Sequence, residues 1–151
     1  MTVIKLFESS YHSAVAYRHA LNSATAVAKF ATDFAALDAC DALVLVLPAG
    51  NDAHTETGYA LGQRKRVFIL LSKAPLAAPE LMYLLPGIVT VASIRELIAH
   101  LRQSPTIHKL YIASSWTRSA NHPAVVAATR AARFQVFDYR AVAVGNSEER
   151  S

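Results

Sequence analysis

Cysteine is nearly absent. Cys40 is the only one in 151 residues, which excludes an internal disulfide and any zinc site built from several thiolates. Charge is sparse as well: Asp, Glu, Lys and Arg make up 17% of the chain, against 53% hydrophobic residues. A chain so apolar is not of the disordered class. Long apolar runs are missing too. The longest, residues 42–48 and 67–71, fall far short of the roughly 20 residues a membrane span needs, so no membrane partner is expected. The opening MTVIKLFESSYHS lacks the basic start, apolar stretch and cleavage site of a secretory leader, and a cytoplasmic location is expected. The six histidines show no H-x-x-x-H spacing and no mixed Cys/His cluster, so neither a metal nor another cofactor is expected. The net charge of +4 comes from scattered residues, with Arg64, Lys65 and Arg66 the only run. No arginine-rich arm or aromatic-basic interleaving points to nucleic acid. A mildly positive field suits a small anionic ligand.

What is present is alternation. DALVLVLP (41–48) is a near-continuous apolar run, the mark of a strand buried on both faces of a parallel sheet. Four further strands are read at 66–71, 88–92, 109–113 and 134–139. Helical stretches lie between and before them, at 11–22, 32–40, 54–63, after the cap Ser93, and at 121–133 with Pro123 in its first turn. Thr32 can cap the second of these, with Asp33 then in its first turn. The pattern predicts an α/β fold with a doubly wound, five-stranded parallel sheet, Rossmann- or flavodoxin-like. A single domain over 1–151 is expected, with 1–10 and 141–151 as loose ends. The doubly wound order places strand 42–47 centrally, the next two strands on one side and the last two on the other. Ligands then bind at the carboxyl ends of the strands at 42–47 and 109–113, between loops 48–55 and 114–120.

Those loops carry chemistry. Glu56 stands near a helix start, where the dipole favours an ionised carboxylate and free N–H groups can hold an anion. Gly50 allows close approach of backbone to a ligand. The second loop offers the hydroxyls of Ser114 and Ser115, and the cation Arg118, with Tyr111 on the strand before them. Each has an ordinary structural reading: Glu56 and Asp33 as first-turn acids, the serines as turn residues, Trp116 as packing, and His54 as a solvated loop histidine rather than a contact to a base. The serines lack nucleophile-elbow glycines, so a serine hydrolase is poorly supported. GQRKR lacks the ending of a phosphate-gripping P-loop.

FATDFAALDACDALVLVLPAGNDAHTETGYALGQRKRVFILL resembles the nucleoside 2-deoxyribosyltransferase family, with its aspartate, its short helix before a buried strand, and its Glu-x-Gly-x-Ala. PELMYLL and SIRELIAHL resemble the family's later portion, and KLYIASSWTRSANHPAVVAATRAARFQVFDYR its opening. The order is exchanged, as in a circular permutant. The resemblance covers about residues 11–140. It implies Glu56 as nucleophile on the anomeric carbon, Asp33 as acid or hydrogen-bond partner, and Tyr111 orienting Glu56 or the sugar. It implies Ser115, Gly50 and Asn51 at the 5′ end, with His54, Ser114, Trp116 and Arg118 lining the substrate. The expected activity is cleavage or transfer at the N-glycosidic bond of a nucleoside or its 5′-monophosphate, and relatives' habits imply a homo-oligomer. A non-catalytic nucleotide-binding module and an interaction domain using the fold alone are the alternatives.

Overall fold

The computed structural model describes residues 2, 5, 6, 10–71, 78–115 and 120–140. They group into two compact units, residues 37–138 and the described parts of 1–36 with 139–140. The expected loose end 141–151, and most of 1–10, lie outside the described residues.

In chain order the elements are α1 (Ala14–Leu21), α2 (Ala24–Ala39), β1 (Ala42–Val46), α3 (Asn51–Gly62), β2 (Arg66–Leu70), a 3₁₀ turn (Leu81–Leu84), β3 (Ile88–Val91), α4 (Ile94–Arg102), β4 (Lys109–Ser114), α5 (His122–Ala131) and β5 (Gln135–Asp138). All five strands pair in parallel, in the spatial order β3-β2-β1-β4-β5. The expected doubly wound order is thus observed. β1 reads ALVLV because both its faces are covered, and each of its residues is fully buried.

Connection handedness places the helices. A right-handed crossover from β1 out to β2 and one from β4 out to β5 run in opposite directions, so α3 and α5 fall on opposite faces. The buried side chains agree. Ala42, Val44, Val46, Phe68, Leu110 and Ile112 pack with Leu97 and Leu101 of α4 and Val125 and Val126 of α5. The alternate set, Leu43, Leu45, Ile69, Tyr111 and Ala113, faces the other way, where α3 buries Ala53, Thr57 and Ala60.

Two helix starts differ from the sequence reading. α2 begins at Ala24, and Ser23 caps it by accepting from the Ala26 N–H at 3.2 Å. Thr32 is no cap; its hydroxyl donates back to the Ala28 carbonyl at 3.2 Å. Asp33 therefore lies in mid-helix, not in a first turn. α3 begins at Asn51, three residues earlier than the pattern suggests, so its first-turn acid is Asp52 and Glu56 sits in the second turn. The dipole support expected at Glu56 fades over that distance. Elsewhere the caps are as read: Ser93 accepts from the Glu96 N–H at 3.1 Å, while Glu96 accepts from the Ala92 N–H at 2.7 Å.

Candidate functional site

The carboxyl ends of β1 and β4 lie side by side, with Val46 opposite Ser114. Beyond the ladder the Ser115 N–H donates to the Pro48 carbonyl at 3.2 Å, so the two exit loops are joined as they leave the sheet. Two residues past Pro48, Gly50 caps α3 with no side-chain hydrogen bond. Its φ of −92° is open to any residue, and among the described residues a Cβ there would meet nothing within 4 Å. Asn51 follows as the first helical residue, exposed.

Glu56, half-buried, lies on α3. Tyr111, fully buried, belongs to the sheet face that α3 covers and stacks on Phe137 with centroids 5.3 Å apart. These two expected site residues therefore share one side of the sheet. His54 is engaged through both ring nitrogens. Nδ1 lies 2.9 Å from the Gly50 carbonyl and Nε2 2.8 Å from the Tyr83 hydroxyl. A carbonyl only accepts, so Nδ1 carries the proton and Nε2 accepts from Tyr83. The rings stack at 6.0 Å. Burial, and then the charge of Glu80, push the Tyr83 hydroxyl above its ordinary pKa. This ties α3 to the 3₁₀ turn, and it makes His54 a framework residue as well as a candidate contact.

Asp33 lies in the other unit. It forms a close ion pair with Lys29, one helical turn away, and the lysine is buried. Trp116 and Arg118 lie outside the described residues.

A hydrogen-bonded chain that the sequence did not reveal stands at the same end of the sheet. The Ser114 hydroxyl is 2.6 Å from His122 Nδ1, and His122 Nε2 is 2.8 Å from the Asp138 carboxylate. These are the last residue of β4, the first of α5 and the last of β5. Asp138 belongs to the same face as Ser114, since it pairs with Ile112. No spacing rule links positions 114, 122 and 138; only the strand order does. The one available signal is that each falls at the boundary of an element.

The amino end of the sheet carries a different network. Asp41 accepts from the N–H groups of His108 and Lys109, both at 2.8 Å. Burial acts to raise its pKa, but those two N–H groups and the neighbouring positive charge outweigh it and hold the carboxyl below its ordinary value. Beside it, burial pushes the Cys40 thiol up to about 11 against the lowering pull of Lys65.

Among the described residues no group of three or more His, Cys, Asp or Glu side chains is placed to hold a metal, and no helix is long and apolar enough to cross a membrane. The chain matches no family model, no curated protein and no solved structure.

Proposed function

We propose that this chain acts on the N-glycosidic bond of a nucleoside or nucleoside 5′-monophosphate, on a circularly permuted nucleoside 2-deoxyribosyltransferase-like fold. The observation that carries the reading is the junction of the β1 and β4 exit loops at Pro48 and Ser115, with Glu56 and Tyr111 on one side of the sheet beneath it. In this reading the Glu56 carboxylate attacks the anomeric carbon as the base departs, giving a glycosyl ester. Water or a second base then takes the sugar, so hydrolysis and transfer differ only in the acceptor. Tyr111 orients the carboxylate. Ser115, Gly50 and Asn51 receive the 5′ end, with His54 beside the substrate. The permutation fits the sheet: moving the β4–β5 block to the front of the chain leaves the spatial order unchanged.

A second copy of the chain is the proposed partner. α1 and α2 leave Val15, Tyr17, Leu21, Val27 and Phe30 more than half exposed, an apolar surface suited to self-association.

Chromatography of reactions with the common deoxynucleosides, ribonucleosides and their 5′-monophosphates tests the reading. Free base is expected with the wild type and not with Glu56→Gln. Absence of release from all of them rejects the catalytic reading. Thermal stabilisation by one of these compounds without release would instead identify a binding module.

A further inference from the structure

We propose that Ser114, His122 and Asp138 form a serine acyl-transfer relay, giving this chain an esterase activity on carboxylic esters of short acyl chains. The proposal does not rest on the glycosidic reading. The relay belongs to the face carrying α4 and α5, opposite the one shared by Glu56 and Tyr111.

The protonation pattern follows from the partners. An ionised carboxylate only accepts, so His122 donates through Nε2–H to Asp138. In the neutral ring Nδ1 then accepts, and its partner at 2.6 Å is the Ser114 hydroxyl. The oxygen also lies 3.4 Å from the Ser115 carbonyl, a much longer contact. A hydroxyl donating to an imidazole whose far nitrogen is held by a carboxylate is the arrangement that makes serine a nucleophile. Either ring nitrogen can play either part, since such relays are defined by geometry and role. Ser114 and His122 are 5% and 1% exposed, and the Asp138 side chain 14%. The proton path is thus shielded from water, which strengthens its electrostatics. The position fits as well, since all three residues stand at the carboxyl end of a parallel sheet, with Ser114 on a strand that flanks its switch point.

The step balances. Ser114 Oγ bonds to the ester carbonyl carbon as its proton passes to His122 Nδ1, and Asp138 holds the resulting imidazolium through Nε2. The tetrahedral adduct collapses, the alkoxide departs with that proton, and an acyl-serine remains. Water, activated by the same imidazole, releases the acid and restores the hydroxyl.

The test treats the full chain with a fluorophosphonate probe and with phenylmethanesulfonyl fluoride, followed by peptide mass spectrometry, alongside hydrolysis of p-nitrophenyl acetate and butyrate. A single adduct on Ser114, absent when the protein is first unfolded in urea, is expected. Turnover should vanish in Ser114→Ala and fall about 100-fold or more in His122→Gln and Asp138→Asn. The wild-type pH–rate profile should show one inflection that His122→Gln lacks, which a purely structural role would not produce. A folded wild type that takes up neither reagent at Ser114 overturns the proposal, as does a folded Ser114→Ala that keeps its turnover. Wild-type labelling decides the matter even if the variants fail to fold. Base release from nucleosides is a separate readout, so the two readings fail separately.

Discussion

Lys29 and Asp33 face each other across one turn of α2 as a close ion pair, with Lys29 Nζ also 5.2 Å from the centre of the Tyr139 ring. The lysine side chain is 4% exposed and the aspartate 19%, so the two deletions should not be equal. Asp33→Ala strands a buried ammonium and should cost roughly 2–4 kcal/mol. Lys29→Met leaves the wetter partner behind and should cost less. The double variant should be more stable than the sum of the two losses predicts. Urea unfolding of the four proteins measures this cycle, and simple additivity would show that the pair contributes nothing.

Asp41 should govern part of the acid limb of stability. Its carboxyl is depressed in the folded chain, so its contribution is complete above the unfolded aspartate value of about 3.9 and is lost as pH falls through the lower folded value. Asp41→Asn should cost about 1 kcal/mol at pH 7, a figure kept low because the site is largely exposed. The deficit should shrink towards zero as pH falls through the depressed folded value. Urea midpoints from pH 7 to 2.5 check both the size and the sign.

Cys40 should be a poor nucleophile in the native chain. Its Sγ donates to the Leu37 carbonyl at 3.1 Å, and burial lifts its pKa from 9.0 to about 11. Iodoacetamide at pH 8 should therefore alkylate the folded protein about 100-fold more slowly than the unfolded one, from thiolate fraction alone. Equal rates under native conditions would place the thiol in a more open environment.

Arg64 and Arg133 close α3 and α5 with positive φ, 61° and 73°. Beyond each, a backbone N–H reaches back into the last turn: Lys65 to Ala60 at 3.0 Å, and Phe134 to Thr129 at 3.1 Å. Glycine favours this cap position, because a Cβ is strained there by roughly 1–2 kcal/mol. The entropy that glycine loses on folding offsets part of that gain. Arg133→Gly should thus raise stability by about 0.5 kcal/mol, seen as a small rise in Tm. A fall would show that the arginine side chain makes a contact worth more than its strain.

Much of this fold could be read from the sequence, for identifiable reasons. ALVLV at 42–46 has no polar position on either face, which only a central parallel strand tolerates, and the five strands were bounded to within about a residue. Helix starts were harder where several residues offer the same signal. Thr32-Asp33 has the look of a cap followed by a first-turn acid, yet Ser23 nine residues earlier performs that task, and the alanine-rich stretch between them has no strong periodicity to show it. Asn51 begins α3 although AGNDA (49–53) reads as a polar turn. The exit-loop junction was foreseeable because strand order alone produces it. The Ser114–His122–Asp138 chain was not, since its members join only once α5 has carried the backbone from one strand to the next.

Because β1, β2 and β3 come from one continuous stretch of chain and β4 and β5 from another, the sheet is zipped along a single line, the ladder between β1 and β4. Cutting the connection between α4 and β4 would leave two fragments, each holding a finished share of the ladders and one bare edge for the other. Their reassembly could proceed only by restoring that line, whose outer end is the Pro48–Ser115 junction of the two exit loops. A molecule bound across that junction would therefore act as a clasp on both fragments, and the recovery of cut protein in its presence would report its binding without any chemistry having to occur.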